Sequence, residues 1–316
     1  MAKYKAWIRD LQVKLTSASL HKTMTFGAEH LKGKQDFDIS VEGSKYMSYL
    51  KDKFTIRIKN LTYGEVLQLV NGKYYSIEIL AGYKSQGAQS IFKGSVIYMS
   101  NQQDDPTTNT VIILAGSKLV AQYGQSKMNM SINSGINMYS AIKFLCKRAG
   151  IKNANVNEDF KYRILQESVS AQDNIENSLQ NFADQNGFVG NSEGTDNNVL
   201  TILDPKKNNS RVIKLDETNI VLVSGYPKLS SDGLTLSTLP VFNFKPLDII
   251  QLDASLIDMS VDSYQPSDFN KAIFLDKDNK YIILQIDYDL ANRDRQYRLS
   301  ITAKARSLYL KNGGAS

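Results

Sequence analysis

Hydrophobic and polar residues alternate over much of the N-terminal third of the chain. The alternation is regular from Phe37 to Val41 and again from Phe54 to Ile58. A period of two places the hydrophobic side chains on one face of a strand, so both segments are predicted as half-buried β-strands. Other short apolar segments separated by turn residues predict further strands. These lie at Tyr75 to Ile79, Ile91 to Phe92, Val96 to Met99 and Val111 to Leu114.

One helix is expected to interrupt these strands. Thr62 and Glu65 have the spacing of a capping box, and Val66, Leu69 and Val70 fall on one face of a helix that an Asn-Gly pair ends. The glycines of the segment 82–87 lack the spacing and the following helix of a phosphate-binding loop, so they are interpreted as turn residues. Many short strands at this spacing predict a small barrel or sandwich.

The pattern changes in the middle of the chain, where apolar residues recur at helical spacing. Two helices are predicted, one ending at Gly150 and one at Gly187. Ser170 and Asp173 are interpreted as a capping box for the second helix. A short apolar segment follows each helix, which indicates a weak internal α/β repeat. The polar, Gly-rich segment 190–198 is predicted as a hairpin loop that leads into another strand.

The last third of the chain is again predicted as β-structure. The polar stretch from Pro205 to Ser210 opens with proline and is the best candidate for a linker. Leu234 and Leu236 then alternate with polar residues. The segments 282–288 and 297–303 also alternate, and they are predicted to pair as a long hairpin across a polar turn at 289–295.

These patterns predict a mainly β chain with an α+β middle segment. We expect an N-terminal β-barrel domain at 1–122, a middle α/β domain at 123–205 and a C-terminal β-barrel domain at 206–316. A chain of 316 residues is long enough to bury a substantial hydrophobic core.

Composition and charge narrow the function classes. Hydrophobic residues make up 42% and charged residues 22% of the chain, as in ordinary globular proteins. The longest apolar runs are far shorter than the ~20 residues that a transmembrane helix needs, and the N-terminus has no apolar core of a secretion signal, so the chain is expected to remain in a cytoplasm. The net charge of +6 is spread along the chain, so no sequence-specific nucleic-acid binding is expected.

Residues that could carry out chemistry are few. Cys146 is the only cysteine; it falls on the apolar face of a predicted helix and is expected to be a buried thiol. His21 and His30 lie in polar segments, and no nucleophile, zinc, Walker or dinucleotide motif is present. Asp276 begins a stretch similar to a calcium loop, but Tyr281 stands where that loop requires glycine, so a turn is predicted. No catalytic, cofactor-binding or metal-ligating residue is predicted, and the chain is not expected to be an enzyme.

Three stretches, taken in order, resemble the baseplate hub proteins of phage tails, a family that includes the late control protein D type. The first runs from Phe37 to Leu61 and ends in Ile-Lys-Asn-Leu before a threonine. The second is similar to a family strand that ends in Ala-Gly-Tyr, here Ile77 to Tyr83, and to the next strand with Ile-Phe-Lys-Gly, here Ile91 to Val96.

The third stretch runs from Gly225 to Ile250. It contains Gly-Tyr-Pro, then Asp232 to Leu239, and then Phe-Lys-Pro-Leu-Asp-Ile-Ile at its end. It departs from the family pattern at two positions: Leu247 stands where a glycine is common, and Val241 where a second proline is found. The turn at Leu247 is therefore expected to be built differently.

The resemblance implies a homotrimeric hub. In such hubs two tail-tube-like β-barrel domains flank a small α/β region, so three copies present six barrels. The ring then matches the six-fold tail tube on one side and the three-fold central spike on the other, and it encloses the ejection channel. The implied partners are further copies of the chain, the tube protein, the spike protein, the tape-measure protein and other baseplate proteins. The implied location is the virion tail baseplate, after synthesis and assembly in the host cytoplasm.

Two alternatives stay open. A tail protein that recognises host carbohydrate would need exposed aromatic side chains in a groove, which the 17 tyrosines permit. A tail-associated cell-wall hydrolase would need two carboxylates at a defined separation, which a sequence does not place. No cofactor and no membrane insertion are expected in either case.

Overall fold

The computed structural model describes residues 8–17, 21–27, 37–47, 52–72, 74–103, 109–117, 127–151, 153–191, 199–203, 211–216, 225–230, 233–258, 276–294 and 296–307. Strands dominate this part of the chain, and helices are concentrated in its middle, which confirms the predicted fold class. The predicted linker from Pro205 to Ser210 lies outside the described residues.

Three groups of elements follow one another along the chain. The N-terminal group is β1 (Arg9–Ser17), β2 (Lys22–Phe26), β3 (Asp38–Tyr46), β4 (Lys53–Lys59), α1 (Tyr63–Asn71), β5 (Ser76–Tyr83), β6 (Gly87–Gln103) and β7 (Asn109–Gly116). The middle group is β8 (Met130–Ile132), α2 (Met138–Arg148), β9 (Asn153–Val156), a 3-10 helix (Glu158–Tyr162), β10 (Val169–Ala171), α3 (Ile175–Asn186), β11 (Val189–Asn191) and β12 (Val199–Leu203). The C-terminal group is β13 (Val212–Leu215), β14 (Lys228–Ser230), β15 (Gly233–Thr238), β16 (Ile249–Leu252), a 3-10 helix (Ala254–Leu256), β17 (Lys280–Ala291) and β18 (Tyr297–Ala305).

The N-terminal and C-terminal strands form one large sheet. Its order is β14-β15-β18-β17-β3-β4-β7-β6-β5-β1-β2, with β16 also beside β17 and β13 beside β16. All of these pairs are antiparallel except the parallel pair β13–β16. The middle group forms two small sheets, β8–β10 and β11-β12-β9. The path of the large sheet ends at β14 and β2, so closure into two separate barrels is not seen among the described strands.

The hydrophobic cores follow the same grouping. One cluster combines buried residues from the N-terminal and C-terminal strands, whereas a second lies within the middle group, from Met128 to Ile202. A third, smaller cluster joins all three groups through Met47, Val189, Leu247 and Ile282, among others. The predicted domain boundaries at 122 and 205 stay predictions.

The first helix begins and ends where the sequence predicts. Thr62 is its N-cap: the threonine hydroxyl accepts from the Glu65 N–H at 3.3 Å, and the Glu65 carboxylate accepts from the Thr62 N–H at 2.9 Å. This confirms the capping box. Val66 and Leu69 are buried as predicted, but Val70 is 51% exposed. The prediction was wrong for Val70 because so short a helix rests on the sheet through one narrow stripe.

The predicted capping box of the third helix was wrong. Ser170 lies in β10, where it pairs with Ser131 of β8. The N-cap of α3 is Asn174, whose side-chain oxygen accepts from the Asn177 N–H at 2.7 Å. Asparagine is as effective an N-cap as serine, so the sequence offers two possible N-caps for this helix. Ser170 is excluded because it pairs in a strand. The helix ends at Gly187 in the left-handed conformation, as predicted.

Two predicted strands proved to be one. Ile91 to Phe92 and Val96 to Met99 both belong to the 17-residue strand β6, because Gly94 between them is not a turn residue. A Cβ at Gly94 would lie 2.3 Å from the Gly116 carbonyl oxygen and 2.4 Å from the Phe92 ring. This glycine therefore allows a close approach inside the sheet.

The C-terminal hairpin of β17 and β18 is confirmed, with Tyr288 opposite Leu299. Its turn begins after Ala291 and not at Asp289, because β17 is longer than predicted. The strict alternation also fails: Tyr281, Ile282 and Ile283 are all buried, since a bulge at Leu284 changes the register and both faces are covered there.

The turn at Leu247 keeps a glycine-like backbone although it has no glycine. Pro246 stands second and Leu247 third, with φ at +74°, and the Asp248 N–H donates to the Lys245 carbonyl at 3.0 Å. This is the residue order of a type II turn, whose third position normally takes glycine. The leucine side chain is buried in the small cluster with Met47, and this packing offsets the ~1 kcal/mol that the left-handed conformation costs.

Candidate assembly interface

The described side chains that could take part in chemistry do not cluster. His21 is exposed at a turn, and His30 lies outside the described residues. Cys146 is buried, and burial raises the pKa of its thiol to about 12, as expected for a structural cysteine. Within the described ranges, no three His, Cys, Asp or Glu side chains come close enough to hold a metal ion.

Asp276 has a structural role in the described turn. Its carboxylate accepts hydrogen bonds from the backbone N–H groups of Asp278, Lys280 and Ser307, at 3.0, 3.2 and 2.7 Å. These bonds close the turn before β17 and tie the end of β18 to it, as the predicted turn requires. None of the described helices is long and apolar enough to cross a membrane.

The large sheet contains an internal repeat of five strands. The order β3-β4-β7-β6-β5 in the N-terminal group matches the order β14-β15-β18-β17-β16 in the C-terminal group, and each pair within both sets is antiparallel. We call these sets the N-unit and the C-unit.

The two units also agree residue by residue. In the N-unit the register of β6 against β7 slips by one residue at Ile97, and in the C-unit β17 slips against β18 at Leu284. In both cases the residue just before the slip pairs with an alanine: Val96 with Ala115, and Ile283 with Ala303. Just before the bulge, the Val96 N–H donates to the Tyr75 carbonyl at 2.9 Å, and the Ile283 N–H donates to the Asp248 carbonyl at 2.9 Å. Bulges bend strands locally, and the two units carry their bulges at equivalent positions.

The units are joined edge to edge by β17 and β3. This joint pairs the seven positions from Gln285 to Ala291 with those from Tyr46 to Ser40. The Met47 N–H extends it by donating to the Leu284 carbonyl at 2.8 Å, and the Ser44 hydroxyl donates to the Asp287 carboxylate at 2.5 Å. An edge that would otherwise be open is therefore satisfied within the chain.

Aromatic rings fill the sheet at the joint. Gly43 of β3 pairs with Tyr288 on one side and with Phe54 on the other. The Phe54 ring lies 5.4 Å from that of Tyr288 and 4.3 Å from that of Phe92, measured between centroids. A Cβ at Gly43 would lie 2.4 Å from the Phe54 ring, so the glycine leaves the space that this ring occupies.

A buried tyrosine ties the C-unit hairpin to the start of the chain. The Gly82 N–H donates to the Tyr297 hydroxyl at 2.9 Å, and the hydroxyl donates to the Gly82 carbonyl at 2.8 Å. Burial raises the pKa of Tyr297, which keeps this hydroxyl protonated as a donor. The Arg9 guanidinium lies 5.1 Å from the centroid of the same ring and donates to the Ala291 carbonyl at 2.8 Å.

Replacing Tyr297 with phenylalanine is expected to lower the free energy of unfolding by about 2 kcal/mol, because the buried N–H and carbonyl of Gly82 lose their partner. Urea unfolding followed by circular dichroism measures this. Tyr162→Phe is the matched control, since Tyr162 is 88% exposed and its hydroxyl can be replaced at little cost. Equal stability of the two variants would contradict the proposed role of the Tyr297 hydroxyl.

Asp52 is a buried carboxylate beside the joint. Its Oδ1 accepts from the Tyr46 N–H at 3.0 Å, at the end of β3. Burial raises the pKa of Asp52 to about 6, although the nearby positive charge of Lys45 acts in the opposite direction. The Asp52 carboxyl group, at the edge of the joint, therefore changes from neutral to charged near pH 6.

A large open groove with a volume of about 830 Å³ lies among the described residues of the middle group. Tyr162, Ile164, Glu167 and Gln185 are among its lining residues. Tyr162 is the one aromatic side chain among the described lining residues, whereas the carbohydrate alternative predicts several clustered rings. Among the described lining residues Glu167 is the one carboxylate, whereas glycoside hydrolysis uses a pair of them.

The family resemblance implied two similar barrels, but the strand order that the two units share and the joint between them were not predicted from the sequence. The signal that could have revealed them is the break in alternation at the two bulges, where Val96 is followed by Ile97 and Ile283 by Leu284. The C-terminal hairpin was found, but not the N-terminal hairpin equivalent to it, because β6 was divided at Gly94.

No protein-family model matches the chain, and no curated protein matches it. Solved structures do share its fold. A tail protein of Neisseria meningitidis has a TM-score of 0.58 at 10% identity, covering 98% of this chain and 99% of that one. The 43 kDa tail protein of prophage MuSo2 from Shewanella oneidensis has a TM-score of 0.55 at 10% identity, covering 94% and 97%. An E. coli component of the type VI secretion system, described as structurally similar to tail proteins of bacteriophage T4, has a TM-score of 0.52 at 14% identity, covering 87% and 75%.

Proposed function

We propose that the chain is the structural hub of a phage-type tail baseplate, in which three copies close into a ring. The observation that carries this proposal is the internal repeat: one chain folds two units with the same strand order and joins them edge to edge through β17 and β3. A chain that already makes one such joint needs only to repeat it between copies to form a closed ring.

The repeat gives the ring two symmetries. Three copies would present six equivalent units, which suits a six-fold tail tube, whereas the middle groups would appear three times, which suits a three-fold spike. The hub would therefore adapt one symmetry to the other and enclose the channel used during ejection. Its partners would be further copies of itself, the tube protein, the central spike protein, and the tape-measure and other baseplate proteins.

The comparisons support a tail role for this fold. Two of the similar structures are tail proteins, and each is covered over nearly its whole length, so the likeness is not limited to one unit. We place the chain in the virion tail after assembly in the host cytoplasm. We also propose that it is not an enzyme, because the polar side chains described at the joint and in the turn before β17 make structural hydrogen bonds: Ser44, Asp52, Asp276 and Asp287.

Native mass spectrometry and negative-stain imaging of the purified chain test this proposal. The expected result is a species of three times the chain mass of 35.4 kDa and ring-shaped particles with six peripheral densities. A single-chain mass at every protein concentration, with no rings in the images, would contradict it. Micromolar binding on a glycan array would favour the carbohydrate alternative, and turnover of purified peptidoglycan would favour the hydrolase.

A further inference from the structure

The outer edge of β6 is unpaired beyond its bulge. Within the described part of the chain, the segment from Tyr98 to Gln103 pairs with β7 on one side and with no strand on the other. The equivalent segment of β17 is paired on that second side by β3. Ile97 and Tyr98 are 40% and 61% exposed beside this edge, whereas the equivalent Leu284 and Gln285 of β17 are half-buried.

The internal repeat identifies the strand that would cover this edge. In the C-unit, β14 holds the place that β3 holds in the N-unit, since each is the first strand of its five-strand set. β3 is already used by β17 in the same chain. β14 lies at the far end of the sheet path from β6, and the two do not pair within the described chain. A second copy would therefore supply β14.

We propose that β14 of a neighbouring copy pairs antiparallel with β6 beyond its bulge, in the register of the internal joint. This inference rests on the proposed ring and names its contact between copies. The internal joint places Asp287 opposite Ser44, Tyr288 opposite Gly43 and Asp289 opposite Glu42. The equivalent pairs between copies are Ser100 with Ser230, Asn101 with Leu229 and Gln102 with Lys228.

These assignments follow from the shared bulge. Since Ile97 is equivalent to Leu284, the next residues of β6 and β17 correspond in order. In the C-unit, Leu229 pairs with Leu234, and Leu234 pairs with Ala303. In the N-unit, Gly43 pairs with Phe54, and Phe54 pairs with Ala115. That list of pairs fixes the position of β14 relative to β3.

The chemistry of the two edges is compatible with pairing. The residues of β6 from Ser100 to Gln103 are uncharged, so Lys228 meets no like charge in the proposed register. The Met47 N–H donates to the Leu284 carbonyl, so alternate residues after Leu284 direct their backbone groups to β3. Asn101 is equivalent to Tyr288, so its backbone N–H and carbonyl are expected to face the unpaired side of β6. On the β14 side, the Asp258 N–H donates to the Pro227 carbonyl at 2.7 Å, and the incoming strand would replace this contact.

A cysteine pair tests the register. Gln102→Cys and Lys228→Cys are placed together in one chain; both native residues are exposed, and facing residues of an antiparallel pair are about 4.5–5.5 Å apart between Cα atoms, within disulfide range. Cys146 is buried and does not compete. Mild oxidation is expected to give a covalent trimer on non-reducing gels. Gln102→Cys combined with Tyr162→Cys is the control, and it is expected to give no such species.

The outcomes separate this inference from the proposed function. A wild-type trimer that the cysteine pair does not cross-link would overturn the register while the hub proposal stands. A cross-link confined to single chains would show that the sheet closes on itself and would overturn the contact between copies. A wild-type monomer would overturn the hub proposal itself.

A second variant tests the edge without a covalent bond. Asn101→Pro removes a backbone N–H that the neighbouring strand would use, and proline is tolerated at an unpaired edge. The expected result is a single-chain mass with an unchanged circular dichroism spectrum, whereas Asn101→Ala is expected to keep the trimer. A trimeric Asn101→Pro protein would count against this edge as the contact.

Discussion

Gly43→Ala is expected to lower the free energy of unfolding by about 3 kcal/mol, because overpacking a well-filled site forces backbone or ring displacement. The added Cβ would lie 2.4 Å from the Phe54 ring and 2.6 Å from the Lys53 carbonyl oxygen. The ring cannot move freely, since it also contacts Phe92 and Tyr288. The carbonyl belongs to the β4 backbone, so β3 and β4 must separate at the joint.

Thermal and urea unfolding of Gly43→Ala and Gly64→Ala measure this effect. Gly64 lies in α1, and a Cβ there meets nothing within 4 Å, so alanine is expected to stabilise the chain by about 0.5–1 kcal/mol through helix propensity. The two variants make the same chemical change with opposite expected signs. A Gly43→Ala protein as stable as the wild type would show that the joint is not tightly packed.

The Gly43 site also shows why the two units are not copies in sequence. The C-unit has Leu229 opposite Leu234 where the N-unit has Gly43 opposite Phe54. Both pairs fill the space, one with two medium side chains and one with a ring and no side chain. Packing conserves total volume and leaves the individual residues free to differ, so the repeat is visible in strand order and register but not in residue identity.

Local elements were predictable from the sequence because their signals lie close together along the chain. The capping box of α1 and the glycine end of α3 each depend on residues within one or two turns. The alternation from Phe54 to Ile58 gave β4, and all its apolar residues are buried. These features stay within the range over which side-chain period and caps act.

The joint could not be predicted in the same way. Its partners, Tyr288 and Gly43, are far apart in the chain, and an alternating strand does not specify which other strand it meets. The bulges at Ile97 and Leu284 also remove the period on which strand prediction relies. The family resemblance therefore led to the expectation of a ring, but it did not indicate which strands form the joint. Those residues were identified from the structure.

The buried carboxylate at the joint makes stability depend on pH. The folded-state pKa of Asp52 is about 6, above its ordinary value of 3.8, so the folded chain holds this proton more tightly than the unfolded chain. The resulting stabilisation is fully present below pH 3.8 and is lost as the pH rises through 6. At neutral pH the charged Asp52 therefore costs up to about 3 kcal/mol relative to the protonated form.

Asp52→Asn is expected to remove this cost, because the amide is neutral at every pH and its oxygen can still accept from the Tyr46 N–H. The variant should be more stable than the wild type by up to about 3 kcal/mol at pH 7 and close to it near pH 4, in urea unfolding across that range. Asp253→Asn is the control: hydrogen bonds from Ser255 lower the pKa of the exposed Asp253, so its contribution is lost as the pH falls. A stability difference for Asp52→Asn that stays constant from pH 4 to 7 would mean that folding does not shift the pKa of Asp52, and the joint would then owe none of its pH dependence to this group.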